Sequence, residues 1–176
     1  MCRVLDSQRL ISEFLAQEGW DKARRSPLAG DASDRRYERL VQESGRTSIL
    51  MIAPPESGEQ VRSFSELARH LSGHGFSAPL VFAEDVSSGL LLIEDLGDGI
   101  FARLAEKSRS KETTIYGAAV DCLLALHKAS LPSDLSRMTP RSLAMGTDLA
   151  AIWYAQKEPD PIVLDTLESR LSSLSP

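Results

Sequence analysis

The sequence predicts an α+β fold, with strands concentrated in its first half and helices filling its second. Three observations point to it. Short apolar runs bounded by turn-forming residues recur between Trp20 and Glu94. Amphipathic stretches at helical spacing stand before these runs and among them. Beyond Asp95 the apolar residues recur only at helical spacing. A chain of 176 residues, 42% hydrophobic and 26% charged, has room for one full core or two small subdomains.

Asp6-Ser7 precedes Leu10, Ile11, Phe14 and Leu15, and Gly19 follows, which predicts a capped amphipathic helix over about 7–18. A short apolar stretch then runs from Trp20 to Leu28. The polar run from Ala29 to Arg35 after it reads as a loop between two strands. Tyr37 to Gln42 and Thr47 to Ile52 are strand-like, and Glu43-Ser44-Gly45-Arg46 between them predicts a hairpin turn. Pro54-Pro55 stops the second of these strands. Val61, Phe64, Leu67, Ala68 and Leu71 predict a second helix from Gln60 that ends at Gly73 or Gly75. Leu80 to Glu84 and Leu90 to Glu94 flank Asp85-Val86-Ser87-Ser88-Gly89 as another hairpin.

After Asp95, Ile115, Ala119, Cys122, Leu123 and Leu126 form the apolar face of a long helix, about Glu112 to Lys128, and Leu149, Ile152 and Trp153 mark another. Asp160-Pro161 supplies an N-cap and a first-turn proline to a last helix with Val163, Leu164, Leu167, Leu171 and Leu174. The boundary between the sheet half and the helical half is expected near Glu94 to Gly99. The serine-rich end, Ser172 to Pro176, reads as a frayed tail or a cut chain.

Twenty basic against twenty-five acidic residues leave a formal charge of −5, which argues against a broad electrostatic grip on nucleic acid or on an anionic membrane. An anionic ligand must be held locally. The N-terminus meets charge before an apolar run develops, and no segment approaches membrane-spanning length, so a cytoplasmic protein is expected. Two cysteines, Cys2 and Cys122, offer neither a disulfide framework nor metal-ligand spacing, and Cys122 reads as a small core residue.

The loop Leu28 to Arg36 combines small residues, which let backbone N–H groups approach a phosphate, with two adjacent arginines. A solvated hairpin loop is the plainer alternative. No Gly-x-x-x-x-Gly-Lys occurs. Gly97-Asp98-Gly99-Ile100-Phe101-Ala102 nearly matches the dinucleotide fingerprint, but Asp121, at the spacing of its acidic partner, falls inside a helix pattern. There is no Gly-x-Ser-x-Gly elbow, and none of His70, His74 and His127 is spaced as a metal ligand with a carboxylate partner. His127 reads as a core-edge residue.

Three blocks, Pro27 to Tyr37, Leu50 to Pro55 and Leu90 to Asp98, occur in the order and spacing of the aminoglycoside phosphotransferase family. The chain resembles that family across about residues 20–100, and in particular its bacterial cell-wall amino-sugar kinases, which phosphorylate N-acetylmuramate or N-acetylglucosamine at the anomeric position. The resemblance implies a kinase-like N-lobe over 1–96, a five-stranded antiparallel sheet with one helix, followed over 97–176 by an incomplete all-helical C-lobe. It implies ATP and Mg²⁺ and a small sugar substrate. Gly30, Asp31, Ala32, Ser33, Arg35 and Arg36 would lie over the nucleotide phosphates, and the main chain of Glu94, Asp95 and Leu96 would hold the base.

The sequence departs from the family pattern twice. Leu50-Met51-Ile52 stands where the third strand usually carries a phosphate-binding lysine, so Glu66, near the place of that lysine's helix partner, has no lysine to pair with. Arg35 or Arg36 is the expected source of the missing charge. None of the three histidines has an aspartate two residues later, so the catalytic His-x-Asp loop and the metal ligands that follow it are expected outside this chain. A truncated kinase is the expectation; a non-catalytic kinase-like binding module is the alternative, and a dinucleotide-binding domain, which needs a parallel sheet, a more distant one.

Overall fold

The computed structural model describes residues 2–29, 35–53, 58–132, 135 and 137–174. These form two compact units, Met1–Ser130 and Leu131–Pro176. The first holds helix α1 (Cys2–Gln17), strands β1 (Arg24–Pro27), β2 (Arg36–Val41) and β3 (Thr47–Ile52), helix α2 (Gly58–Gly73), strands β4 (Val81–Asp85) and β5 (Leu90–Ile93), and helices α3 (Phe101–Lys107) and α4 (Glu112–Lys128). The second holds α5 (Pro140–Gly146), a π-helical turn (Ala150–Ala155) and α6 (Pro161–Leu174). No helix among the described residues is long and apolar enough to cross a membrane.

The fold is mixed α+β, and its sheet has five strands in the order β1-β2-β3-β5-β4, every neighbouring pair antiparallel. Gly97-Asp98-Gly99 therefore follows an antiparallel strand, not the first strand of a parallel βαβ unit. Both predicted hairpins form. Gln42 N–H donates to Arg46 O at 2.9 Å across one turn, and in the other the Asp85 carboxylate accepts from the Ser88 N–H at 3.0 Å and the Ser87 hydroxyl at 2.6 Å.

The central strands explain the uninterrupted apolar runs in the sequence. Alternate residues of β3 and β5 point to opposite faces, and both faces are covered. Leu50, Ile52, Leu90 and Leu92 pack with Ile11, Phe14 and Leu15 of α1 and with Trp20. Ile49, Met51, Leu91 and Ile93 pack with Val61 and Phe64 of α2. The sheet thus carries a helix on each face, where the family resemblance implies one. Ser48 is the polar exception in β3: it is fully buried, and its hydroxyl donates to Ile93 O at 2.7 Å.

Helix α1 begins at Cys2 and not at the Asp6-Ser7 pair. Val4 stands seven residues before Ile11 and extends the same helical spacing, so the local cap does not interrupt it. Its end is as predicted: Gly19 takes φ +74°, Gly19 N–H donates to Ala16 O and Trp20 N–H to Leu15 O. This left-handed termination delivers Trp20, 1% exposed, back onto Leu15 in the core.

Helix α4 keeps its predicted limits, but its apolar side is not buried. Cys122, Leu123, Leu126 and His127 are exposed, so neither Cys122 as a core residue nor His127 as a core-edge residue holds. The helix packs chiefly on α3 and on the short 3-10 turn before it, Arg109–Lys111, and this leaves the other side uncovered.

In the second unit the predicted Asp160 cap is present, its carboxylate accepting from Ile162 N–H at 2.9 Å. The stretch around Ile152 and Trp153 is a π-helical turn and not an α-helix. Helix α5 escaped the apolar pattern because it is only seven residues long. Thr139 forms a reciprocal capping box with Ser142, and Pro140 sits at the first position. Arg141 ties α5 to α6 by bonding Asp165 at 3.0 Å and Glu168 at 2.8 Å.

Leu50 is fully buried at the middle of β3. Leu50→Ala is expected to cost about 2–5 kcal/mol by opening a cavity under α1, read as a lower urea midpoint with an unchanged slope; a loss below about 1 kcal/mol would mean that this layer is loosely packed.

Candidate functional site

The two segments that the sequence marks for ligand contact lie at the margins of the sheet. The first is the β1–β2 loop. Its stem is secured by the ladder and by Arg25, whose Nε donates to Glu38 at 2.7 Å, and Leu28 N–H extends the pairing by bonding Tyr37 O at 2.9 Å. Leu28 and Tyr37 both pack on the α2 side of the sheet. Gly30, Asp31, Ala32 and Ser33 lie outside the described residues. Arg35 is half-buried, and Arg36 is exposed at the start of β2, paired in register with Ile52.

The second is the segment after β5. Glu94 is fastened to the strand before it: its N–H donates to Leu80 O at 2.8 Å, and its carboxylate accepts from Leu80 N–H at 3.1 Å. Leu96 is 57% exposed. Gly97 takes φ +77°, a turn in which its N–H reaches back to the Asp95 carboxylate at 2.9 Å.

What the sequence reading missed is the residue that holds this segment. Arg39 lies in β2, in register with Ile49 of β3, which is in register with Ile93 of β5. Its guanidinium meets two carboxylates. Nη1 and Nη2 each donate to Asp98 at 3.0 Å, a two-pronged pairing. Nη2 also donates to Asp95 at 3.1 Å, and Nε lies 2.8 Å from the other Asp95 oxygen, off the line of its N–H. The Asp95 side chain is 7% exposed and that of Asp98 62%. The ion pair therefore joins β2 to the chain leaving β5, two elements separated by β3.

Arg39 hydrogen bonds hold the Asp98 carboxyl below its ordinary 3.8, and the two aspartates, Asp98 foremost, raise the affinity of Arg39 for its proton. One signal was available in the sequence: an arginine between Glu38 and Leu40 in the middle of a strand, and two aspartates just past the last strand.

The residues expected to bind a phosphate-pairing lysine are not assembled. Residues 48–52 of β3 are all buried, and none is basic. On α2 the positions turned to the interior are Val61, Ser65 and Ala68, while Glu66 is exposed. Among the described residues no group of three or more His, Cys, Asp or Glu could hold a metal ion. Asp95 and Asp98 are committed to Arg39, so these residues do not fit a Mg²⁺ site.

The chain is similar to bacterial amino-sugar kinases. It is 36% identical over 161 residues to the N-acetylmuramate/N-acetylglucosamine kinase of Caulobacter vibrioides, covering 75% of this chain and 44% of that one. The protein of the same name from Pseudomonas aeruginosa is 31% identical over 147 residues, 82% of this chain and 42% of its own. That from Pseudomonas putida is 27% identical over 157 residues, 88% and 44%. The chain thus spans less than half the length of the curated relatives it matches. No protein-family model matches it.

The Arg39 contacts set an acid limit on stability. The folded chain lowers the carboxyls of Asp98 and, through Ser87 and Ser88, of Asp85 below their ordinary 3.8. Their contribution is complete above that value and is lost as the pH falls through the lowered folded values. Arg39→Met strands the buried Asp95 carboxylate, and we expect it to cost about 1–3 kcal/mol at pH 7. It should also flatten the decline of stability below about pH 4; denaturant titrations at pH 7 and at stepped acid pH check both, and equal curves for the two proteins would show that the contact carries no weight.

Proposed function

We propose that this chain is the nucleotide-binding portion of an ATP-dependent kinase that acts on an amino sugar. The observation that carries the reading is the similarity, 27–36% identity over 75–88% of the chain, to proteins named N-acetylmuramate/N-acetylglucosamine kinase. The aminoglycoside phosphotransferase pattern of the three sequence blocks supports it. The antiparallel sheet with a loop at one margin and a pinned segment after its central strand is the scaffold such a reading needs.

In this proposal residues 1–96 act as the nucleotide-binding lobe and 97–176 begin a helical lobe. Backbone groups of Gly30, Asp31, Ala32 and Ser33, with the Arg35 and Arg36 guanidinium groups, contact the phosphates of ATP. Main-chain groups of Glu94, Asp95 and Leu96 contact the base; the side chain of Asp95 is already engaged by Arg39 and Gly97. In the complete reaction a sugar hydroxyl attacks the γ-phosphorus, its proton passes to a general base, and ADP leaves. The base belongs to a His-x-Asp segment absent from these 176 residues. The setting is the cytoplasm, with nucleotide and sugar as partners and no role for nucleic acid or membrane.

A kinase-like module that binds without catalysis is the second reading. Titrating the 176-residue chain with a fluorescent ATP analogue tests the common part. The Arg35→Ala/Arg36→Ala variant is expected to bind about tenfold or more weakly; unchanged affinity removes the loop arginines from the site. Transfer of labelled phosphate to N-acetylglucosamine or N-acetylmuramate by the native protein separates the enzyme from the binding module.

A further inference from the structure

We propose that Arg39 is a positioning residue for nucleotide binding: by clamping Asp95 and Asp98 it fixes the segment after β5 in the shape that receives the base. The inference rests on the nucleotide reading above. Three features of the fold carry it.

The first is selectivity of the contact. Among the described residues Arg39 makes no ion pair within the sheet, and its charged contacts go to Asp95 and Asp98, residues of the connecting segment. A guanidinium between two carboxylates constrains both their distance and their orientation, which a lysine does not. The second is the state of the chain between them. Asp95 uses the oxygen that meets Arg39 to turn Gly97 back on itself. Among the described residues, the N–H and C=O of Leu96 have no hydrogen-bond partner. The clamp thus holds a short stretch of exposed backbone with a donor and an acceptor free, which is the chemistry that recognises the edge of a heteroaromatic base. The third is continuity. Arg36, at the mouth of the β1–β2 loop, and Arg39 belong to the same strand, about 10 Å apart along it and, being three residues apart, on opposite faces of the sheet. One rigid element therefore sets the spacing between the groups proposed for the phosphates and those proposed for the base.

Arg39 itself is not assigned a ligand contact, and this separates it from Arg35 and Arg36. The test uses two probes on the full 176-residue chain: a fluorescent ATP analogue, which needs the base site, and inorganic tripolyphosphate, which does not. Arg39→Met and Asp98→Asn are compared with the native chain, with circular dichroism and thermal melting recorded for each. Asp98 is largely exposed, so its variant is expected to keep the fold and carries the test alone if Arg39→Met does not fold.

The expected result is a loss of ATP-analogue affinity of about tenfold for Arg39→Met and a smaller loss for Asp98→Asn, with tripolyphosphate affinity changed by less than about twofold in both. Equal losses for both probes would make Arg39 a phosphate ligand and overturn the positioning role. Unchanged ATP affinity in folded variants would overturn it as well. If the native chain bound neither probe, the nucleotide reading itself would fail, a result distinct from either of these.

Discussion

Burial of both faces of β3 and β5 is the constraint from which the rest of the first unit follows. A sheet whose two central strands carry apolar residues at successive positions cannot leave either face to water, so a helix must cover each. Residues 49–53 and 90–93 supply those positions, and α1 and α2 supply the covers. The same constraint fixes the strand order, because the two most apolar strands pair with each other at the centre while β1 and β4, short and partly exposed, take the edges. Ser48 shows how strictly it applies: the one polar side chain in the middle of β3 is accepted only with its hydroxyl bonded to the backbone of the next strand.

Chemistry is therefore displaced from the centre of the sheet. A cation on β3 would be buried between apolar layers with no carboxylate facing it, at a desolvation cost that no nearby partner offsets, and the strand has none. The polar functions move to β2, which is only half-buried, and to the segments that enter and leave the sheet. Arg39 marks the transition. It stands on the same face as Ile49 and Ile93 by register, yet its guanidinium is solvated enough to stay charged and close enough to the end of β5 to meet Asp95 and Asp98.

Much of this was legible in the sequence, and the exceptions have a common cause. The hairpins, the limits of α4, the Gly19 termination and the Asp160 cap depend on residues within a few positions of one another, so local chemistry determines them. The amino-sugar kinase likeness, too, was carried by short contiguous blocks. What was missed depends on contacts distant in sequence. Arg39 meets partners 56 and 59 residues away, and no local pattern announces such a pairing. Cys122 and Leu123 sit on an apolar stripe, but periodicity states which residues share a face and not whether anything covers it. Helix α5 is the opposite case. Its signal, Thr139-Pro140 with Ser142, is local and present, but seven residues are too few to show an apolar period.

The charge balance gives the site its remaining definition. A chain with net charge −5 has no general attraction for an anion, so the location of uncommitted positive charge matters more than its amount. The arginines of the sheet are largely spoken for. Arg25 is paired with Glu38, and Arg39 is shared between two aspartates; Arg46, in the β2–β3 turn, stacks over Trp20 at 4.9 Å. Arg24 is in register with Val41, at the end of the β1–β2 ladder farthest from the loop. Arg36 is at the opposite end, exposed and, among the described residues, without an ion pair. Its charge is thus presented at the mouth of the β1–β2 loop, while the acidic pair on the far side of β3 is neutralised in part by Arg39. In the nucleotide reading proposed above, the exposed Arg36 guanidinium would serve the anionic end of the ligand, and the partly neutralised segment after β5 its uncharged aromatic end.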